Sequence, residues 1–207
     1  MVQISFLAPM RNCDRMLKVL VAVVGVLTCT ASALAEGGRV LPPDASPKGY
    51  CLEDMAVETA AYNEDSSEPL PEVPFEVLVG GIADYTVRPG TTLYVPVYYA
   101  DNAPPVLAGF PKNIRDQDAD ADFLASTALA AYDVTAFFVQ VDGKTTVLCD
   151  DYTVGVKTKK LPDGAADYIV AAAFLTPLKV GEHTVGIGGI IGGEPVVFVS
   201  YDVTVKP

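Results

Sequence analysis

The stretch PVVFVSYDVTV at residues 195–205 carries the clearest β-strand pattern in the chain. Successive side chains of a strand point to opposite faces of a sheet, so alternation of apolar and polar residues marks a half-buried strand. One face holds the apolar side chains Val197, Val199, Tyr201, Val203 and Val205. The other face holds Ser200, Asp202 and Thr204, so the pattern predicts a strand that covers a core on one side only.

Further runs rich in Val, Tyr, Phe and Thr lie upstream of this strand and alternate with turn residues. They predict strands near 75–79, 84–88, 92–99, 134–141, 144–149, 152–157, 167–175 and 182–190. Many short strands at such spacing predict an all-β fold, an immunoglobulin-like β-sandwich, with a jelly-roll sandwich as the alternative. Asp142-Gly143 predicts a tight hairpin, because a type I′ turn needs two residues that tolerate positive φ.

One helical insertion interrupts the strand pattern at residues 114–132. The apolar residues Ile114, Ala121, Leu124, Ala128 and Ala131 recur there at spacings that fit an amphipathic helix. We therefore expect this insertion to pack one face on the sandwich.

Four aspartates stand at alternate positions in the same stretch: Asp116, Asp118, Asp120 and Asp122. In an extended segment they would share one face and suit Ca²⁺, which makes them weak calcium candidates. An EF-hand loop beginning at Asp116 would need Gly and Glu where the chain has Ala121 and Thr127. At the start of a helix the acids are instead favoured by the macrodipole and spread around the axis. We prefer this structural interpretation and expect no catalytic residue and no cofactor.

Several motifs between residues 86 and 205 follow one another in a definite order along the chain. They are TVRPGTTLYVPV at residues 86–97, QVDGK at 140–144, PLKVGEHTV at 177–185 and SYDVTV at 200–205. Over about residues 85–207 the chain resembles an uncharacterised family of exported bacterial β-sandwich proteins. The resemblance implies a sandwich but no activity. His183, the only histidine, shares a strand face with Val185 and Ile187, so we expect a structural histidine bonded to a nearby loop.

The N-terminus has the features of a signal peptide. Residues 19–35 carry no charge, follow Arg11, Arg15 and Lys18, and end in the small-x-small sequence Ala33-Leu34-Ala35. We therefore expect a signal peptide over 1–35, with the true start possible at either Met1 or Met16, and no membrane span in the mature chain. The protein is then exported, and is either periplasmic or extracellular.

Residues 36–74 are rich in proline and acids, which predicts an acidic linker with a short helix near 51–61, before a sandwich domain at 75–207. Two cysteines follow the signal peptide, Cys51 and Cys149. An exported protein can form disulfides, so these two are a disulfide candidate, with two unpaired thiols as the alternative.

The charge of the chain limits its partners. The residues after Ala35 hold 11 of the 14 Lys+Arg and 25 of the 26 Asp+Glu, which gives a net charge of about −14. Nucleic acid is excluded, because it needs a basic surface. We expect a non-catalytic binding protein, or a structural protein of the envelope or cell surface, whose partner is an unknown envelope protein or glycan. The alternatives are a glycan-acting hydrolase that uses acidic side chains and a calcium-dependent adhesion module.

Overall fold

The structure is a computed structural model that describes residues 37–64, 68–80, 82–127, 133–159, 161 and 163–207. These residues belong to one compact unit, Ala35–Pro207. The predicted signal peptide, residues 1–35, lies outside the described residues, as do Ala128 and Ala131 of the predicted helical stripe.

In the described part of the chain, nine strands, numbered β1 to β9 in chain order, form two sheets. Their bounds are Glu76–Val77, Asp84–Val87, Leu93–Asp101, Val134–Val141, Lys144–Leu148, Thr153–Lys157, Asp167–Leu175, Gly181–Ile191 and Glu194–Val205. Sheet A has the order β1-β3-β7-β6, and sheet B has the order β2-β9-β8-β4-β5. The pairs β1–β3 and β2–β9 are parallel and the other pairs are antiparallel, so both sheets are mixed. The predicted β-rich sandwich is confirmed at this level.

Strand β9 follows the predicted alternation except at its beginning. Tyr201, Val203 and Val205 are buried between the sheets. A β-bulge shifts the register, so that Ile187 lies opposite Val199 but the next residue, Gly188, lies opposite Val197. The extra residue turns Val197 to the outer face, where it is 43 % exposed, and the prediction that Val197 faces the core was wrong.

Residues 37–64 fall within the expected linker, yet they cover sheet A, and the short helix expected near 51–61 is present. Helix α1, Leu52–Glu64, lies on the outer face of that sheet and buries Leu52, Met55 and Thr59. At its end the Asn63 amide donates to the Tyr168 hydroxyl at 2.6 Å. Upstream, the Leu41 N–H donates to the Phe174 carbonyl at 2.8 Å, which extends sheet A beside β7. The described residues of 36–64 are therefore part of the packed domain.

Helix α2, Gln117–Thr127, is the helical insertion; it begins three residues after the predicted start at 114, and residues 128–132 lie outside the described residues. Of the predicted stripe, Ile114, Ala121 and Leu124 are buried, together with Phe123. Three of these, Ile114, Phe123 and Leu124, belong to the core between the two sheets. The helix therefore packs into the sandwich through the predicted face. Among the described residues no helix is long and apolar enough to span a membrane.

Candidate functional site

The turn between β4 and β5 is fastened to the neighbouring strand β8 by one side chain. Asp142 and Gly143 have φ of 49° and 80°, as a type I′ turn requires. The Asp142 N–H donates to the Thr184 carbonyl at 2.9 Å, and Asp142 Oδ1 accepts the Thr184 N–H at 3.0 Å. The predicted hairpin is confirmed, and its aspartate holds the turn against β8.

His183 binds the same aspartate and has an acceptor at each ring nitrogen. Its Nδ1 lies 2.8 Å from Asp142 Oδ2, and its Nε2 lies 2.9 Å from the Lys179 carbonyl oxygen. Two acceptors can be satisfied together only when both nitrogens carry a proton, which is the imidazolium form. This matches the expectation of a structural histidine bonded to a nearby loop.

The pKa shifts of the pair follow from these contacts. Partial burial opposes the charge on His183, but the hydrogen bonds to Asp142 and to the Lys179 carbonyl outweigh it, and the pKa of His183 is raised. Burial likewise opposes the charge on Asp142, but the donors His183 and the Thr184 N–H outweigh it, and the pKa of Asp142 is lowered. Both shifts favour an imidazolium–carboxylate ion pair.

A cleft of about 470 Å³ lies beside this ion pair. We call it the cationic cleft, because its charged lining consists of Arg39, Lys144, Lys179 and the Asp142–His183 pair. Among the described residues of the lining, the one carboxylate, Asp142, is bound to a histidine. Three of the 11 Lys+Arg that follow Ala35 therefore meet in one cleft of a strongly acidic protein.

Two glycines bring Arg39 to the cleft. A Cβ on Gly37 would lie 2.6 Å from the Pro177 carbonyl oxygen, and one on Gly38 would lie 2.6 Å from Leu178 Cδ2. Gly38 also has a φ of 78°, which few other residues tolerate. The chain can therefore lie against the loop before β8, where the Thr176 N–H donates to the Arg39 carbonyl at 2.8 Å.

Two motifs of the family resemblance meet at this cleft. The Val-Asp-Gly turn contributes Asp142, and the Pro-Leu-Lys-Val-Gly-Glu-His-Thr-Val segment contributes Lys179 and His183. Sequence reasoning did not select the basic residues Arg39, Lys144 and Lys179. Arg39 joins the cleft only through contacts with residues about 137 positions away along the chain, which no local pattern reveals.

The four aspartates lie before and within α2, where Asp116, Asp118 and Asp122 are exposed. Asp120 is fully buried; its Oδ2 accepts the Arg115 N–H at 2.9 Å, while its Oδ1 has no partner among the described residues. Burial raises the pKa of Asp120, although the Arg115 N–H opposes this shift. Within the described part of the chain, no group of three or more His, Cys, Asp or Glu side chains could hold a metal ion.

The expected disulfide is not present in the structure, because both Cys51 and Cys149 are free thiols. Cys51 precedes α1, where its N–H and Sγ both contact Asp54 Oδ2, at 3.0 and 3.1 Å. Burial raises the pKa of Cys51 to about 11 and also raises the pKa of Cys149, so both thiols are poor nucleophiles near neutral pH.

Comparison with known proteins identifies no family for this chain. No protein-family model matches it, and no curated protein matches it. The structure is similar to that of a cysteine protease inhibitor, EhICP2, from Entamoeba histolytica, with 16 % identity and a TM-score of 0.31, over 66 % of this chain and 99 % of that one. It is also similar to amebosin, with 10 % identity and a TM-score of 0.26, over 65 % of this chain and 100 % of that one. Likeness at this level carries no argument about function.

Proposed function

We propose that this chain is an exported, non-catalytic binding protein that holds a carboxylate-bearing ligand in the cationic cleft. The observation that carries the proposal is the meeting of Arg39, Lys144 and Lys179 in one cleft whose aspartate, Asp142, is bound to His183. Guanidinium and ammonium groups form the strongest hydrogen bonds with ionised acceptors, and Arg binds carboxylates in a bidentate way.

The surroundings of the cleft favour selective binding at this place. The rest of the protein is strongly acidic and repels polyanions. An anionic ligand is therefore attracted to the cleft rather than to the surface in general. The volume of about 470 Å³ lies within the usual range of ligand sites and can hold one or two carboxylate-bearing units.

The contacts of His183 support binding rather than catalysis. A general base needs a ring nitrogen that can accept a proton from the reacting group. Both nitrogens of His183 already face acceptors, at 2.8 and 2.9 Å, and neither is directed at a serine or threonine hydroxyl. His183 therefore acts by balancing the charge of Asp142, which leaves the positive charge of the cleft to its Lys and Arg side chains.

Calorimetric titration with two carboxylate polymers tests the proposal. Polygalacturonate represents an acidic glycan, poly-L-glutamate represents an acidic peptide, and neutral dextran serves as the comparison. We expect at least one of the polyanions to bind, and the double variant Arg39→Gln, Lys179→Gln to weaken that binding at least about tenfold. The matched control is Lys112→Gln, Lys159→Gln, which removes the same charge from exposed sites outside the cleft. Equal binding by both double variants, or binding of neither polyanion, would refute the proposal.

Export is a separate part of the proposal, and the N-terminal sequence supports it. The basic residues before residue 19, the uncharged run and Ala33-Leu34-Ala35 predict cleavage after Ala35. Mass spectrometry of the protein from the envelope or medium of its natural host is expected to find Glu36 as the first residue. A mature protein that retains residues 19–35 would contradict this.

The finer assignment of the sandwich as immunoglobulin-like is also proposed. Strand order supports it: lettered along the chain as A, A′, B, C, C′, D, E, F and G, the sheets read A-B-E-D and A′-G-F-C-C′. Immunoglobulin-like sandwiches have the strands A, B, E and D in one sheet and G, F and C in the other. The parallel pairs at β1 and β2 depart from purely antiparallel sheets. Cross-strand backbone NOEs between β7 and β6 and between β8 and β4 test the assignment.

A further inference from the structure

Strand β5 is an edge of sheet B that has no neighbour on its outer side among the described residues. The Asp142 N–H donates to the Thr184 carbonyl of β8. The N–H and C=O groups of the preceding residue, Val141, therefore face the opposite way, towards β5, where Val141 pairs with Lys144. Backbone groups alternate in direction along a strand. The N–H and C=O groups of Lys144, Thr146 and Leu148 therefore face β4, and those of Thr145 and Val147 face outwards.

This edge borders the cationic cleft. The side chains of Lys144 and Thr146 line the cleft, and residues 37–40 line it from the other sheet. Residues 38–41 pair with the end of β7 and so extend the edge of sheet A. The cleft therefore opens between these two sheet edges and borders β5.

The two faces of β5 differ in chemistry. The face towards the cleft has Lys144 and Thr146, with Arg39 and Lys179 nearby. The outer face has Thr145 and Val147; Val147 is 52 % exposed and pairs with Phe138 of β4. A strand added here would have its alternate side chains in a basic cleft and its other side chains beside the exposed Thr145 and Val147.

We propose that the edge of β5 binds an extended acidic peptide as a sixth strand of sheet B. The acidic side chains of the peptide enter the cationic cleft, and its alternate apolar side chains pack beside Val147. Backbone hydrogen bonds to Thr145 and Val147 hold the peptide, which is the β-strand addition seen in other peptide-binding domains. The inference rests on the proposed function, since the cleft is the same, and it adds the nature of the ligand.

A proline at Val147 tests the backbone contacts. Val147→Pro removes an outward N–H without removing a bond to β4, and edge strands accept proline at such positions. Val147→Ala is the matched control, because it removes the same apolar side chain but keeps the N–H. The probe is the peptide acetyl-Glu-Val-Glu-Val-Glu-amide, together with the same peptide N-methylated at every internal amide, which keeps the charges but loses the N–H donors.

We expect the unmethylated peptide to bind the wild-type protein, and Val147→Pro to weaken its binding at least about fivefold relative to Val147→Ala. N-methylation is expected to weaken binding by at least as much. Polygalacturonate has no peptide backbone, so its affinity should be the same for the two variants, and near-identical far-UV circular dichroism of the variants confirms that both fold.

The outcomes separate the inference from the proposed function. A peptide that binds the cleft but is indifferent to Val147→Pro and to N-methylation would overturn the β5 inference and leave carboxylate binding in place. Binding of polygalacturonate alone would do the same and would identify the ligand as a glycan. If no carboxylate probe binds the wild-type protein, the proposed function fails, and the inference fails with it.

Discussion

His183 and Asp142 are 41 residues apart in the chain, yet Nδ1 of the histidine lies 2.8 Å from Oδ2 of the aspartate. The contact joins the β4–β5 turn to the beginning of β8. The aspartate also accepts the Thr184 N–H, and the histidine also faces the Lys179 carbonyl. One ion pair therefore fixes the turn, the strand and the loop that form one wall of the cationic cleft.

The first prediction concerns the pH dependence of this pair. The pKa of His183 is raised, so its contribution to stability is complete below about pH 6.5 and is lost as the pH rises through the folded-state value. The pKa of Asp142 is lowered, so its contribution is present above about pH 4 and is lost as the pH falls through its folded-state value. The pair therefore stabilises the fold most between about pH 4 and about pH 6.5.

His183→Gln tests this window. Urea unfolding should show that the variant is less stable than the wild type at about pH 5.5 and that the difference shrinks by about pH 8.5. Because the Asp142 side chain is 51 % exposed, solvent screens the pair, and we expect a difference below about 1 kcal/mol. An NMR titration in which His183 has a pKa below that of a free histidine would contradict the assignment.

The second prediction concerns the close approach of β6 and the loop before α2. A Cβ on Gly155 would overlap Asp120 Oδ2 and would lie 2.9 Å from the Arg115 backbone nitrogen. We expect Gly155→Ala to lower the free energy of unfolding by about 1–3 kcal/mol through overpacking. Gly80→Ala is the control, because a Cβ there has nothing within 4 Å and neither glycine needs a positive φ. Equal stability of the two variants in urea unfolding would show that the contact is absent.

The third prediction concerns the docking of α1 on sheet A. Met55 is fully buried between them, so Met55→Ala should lower the free energy of unfolding by about 2–5 kcal/mol. Val57, on the same helix, is 44 % exposed, and Val57→Ala should change it by less than about 0.5 kcal/mol. A mobile helix would instead make the two variants equally stable and would leave its amides unprotected from hydrogen exchange.

The strands could be predicted from the sequence, because apolar and polar side chains alternate along each half-buried strand. The apolar side of the short helix near 51–61 could also be predicted, but the packing of residues 37–50 could not, because their prolines and acids resemble a linker and their partner is a distant surface. One signal was available: the run Ile169–Leu175 is uninterrupted and apolar, and all its residues are buried. Strands of that kind are covered on both faces, so an extra layer over sheet A was required.

Only part of the cationic cleft could be predicted from the sequence. The Asp142-Gly143 turn and the His183 strand have local patterns, and the expected bond between the histidine and a loop was found. Arg39 has no such pattern, because it reaches the cleft through pairing with the end of β7, near Thr176. The β-bulge that exposes Val197 could not be predicted either, because one extra residue leaves the apolar character of the strand unchanged.

The last prediction concerns Asp120, the one buried member of the aspartate run. Its pKa is raised by burial, so the folded protein holds the proton more tightly than the unfolded chain does. The protonated Asp120 side chain therefore contributes to the free energy of unfolding below about pH 4, and this contribution is lost as the pH rises through the pKa of Asp120 in the folded protein. Asp120→Asn keeps the acceptor for the Arg115 N–H but never ionises.

We expect the stability of Asp120→Asn relative to the wild type to increase from about pH 4 to about pH 7, with a gain of about 1 kcal/mol. Asp120→Ala removes the acceptor as well, so it should be less stable than Asp120→Asn at both pH values, which separates the hydrogen bond from the charge. Urea unfolding of the three proteins at the two pH values measures both effects.

The same unfolding experiment with added calcium tests whether Asp120 binds a cation. If Asp120 were a calcium ligand, the stability of the wild type would rise with calcium at constant ionic strength, and Asp120→Asn would lose that rise. A wild type that gains stability on ionisation of Asp120, with or without calcium, would refute the assignment of Asp120 as a buried structural acid, because such a gain requires a bound cation or a strong donor at Oδ1.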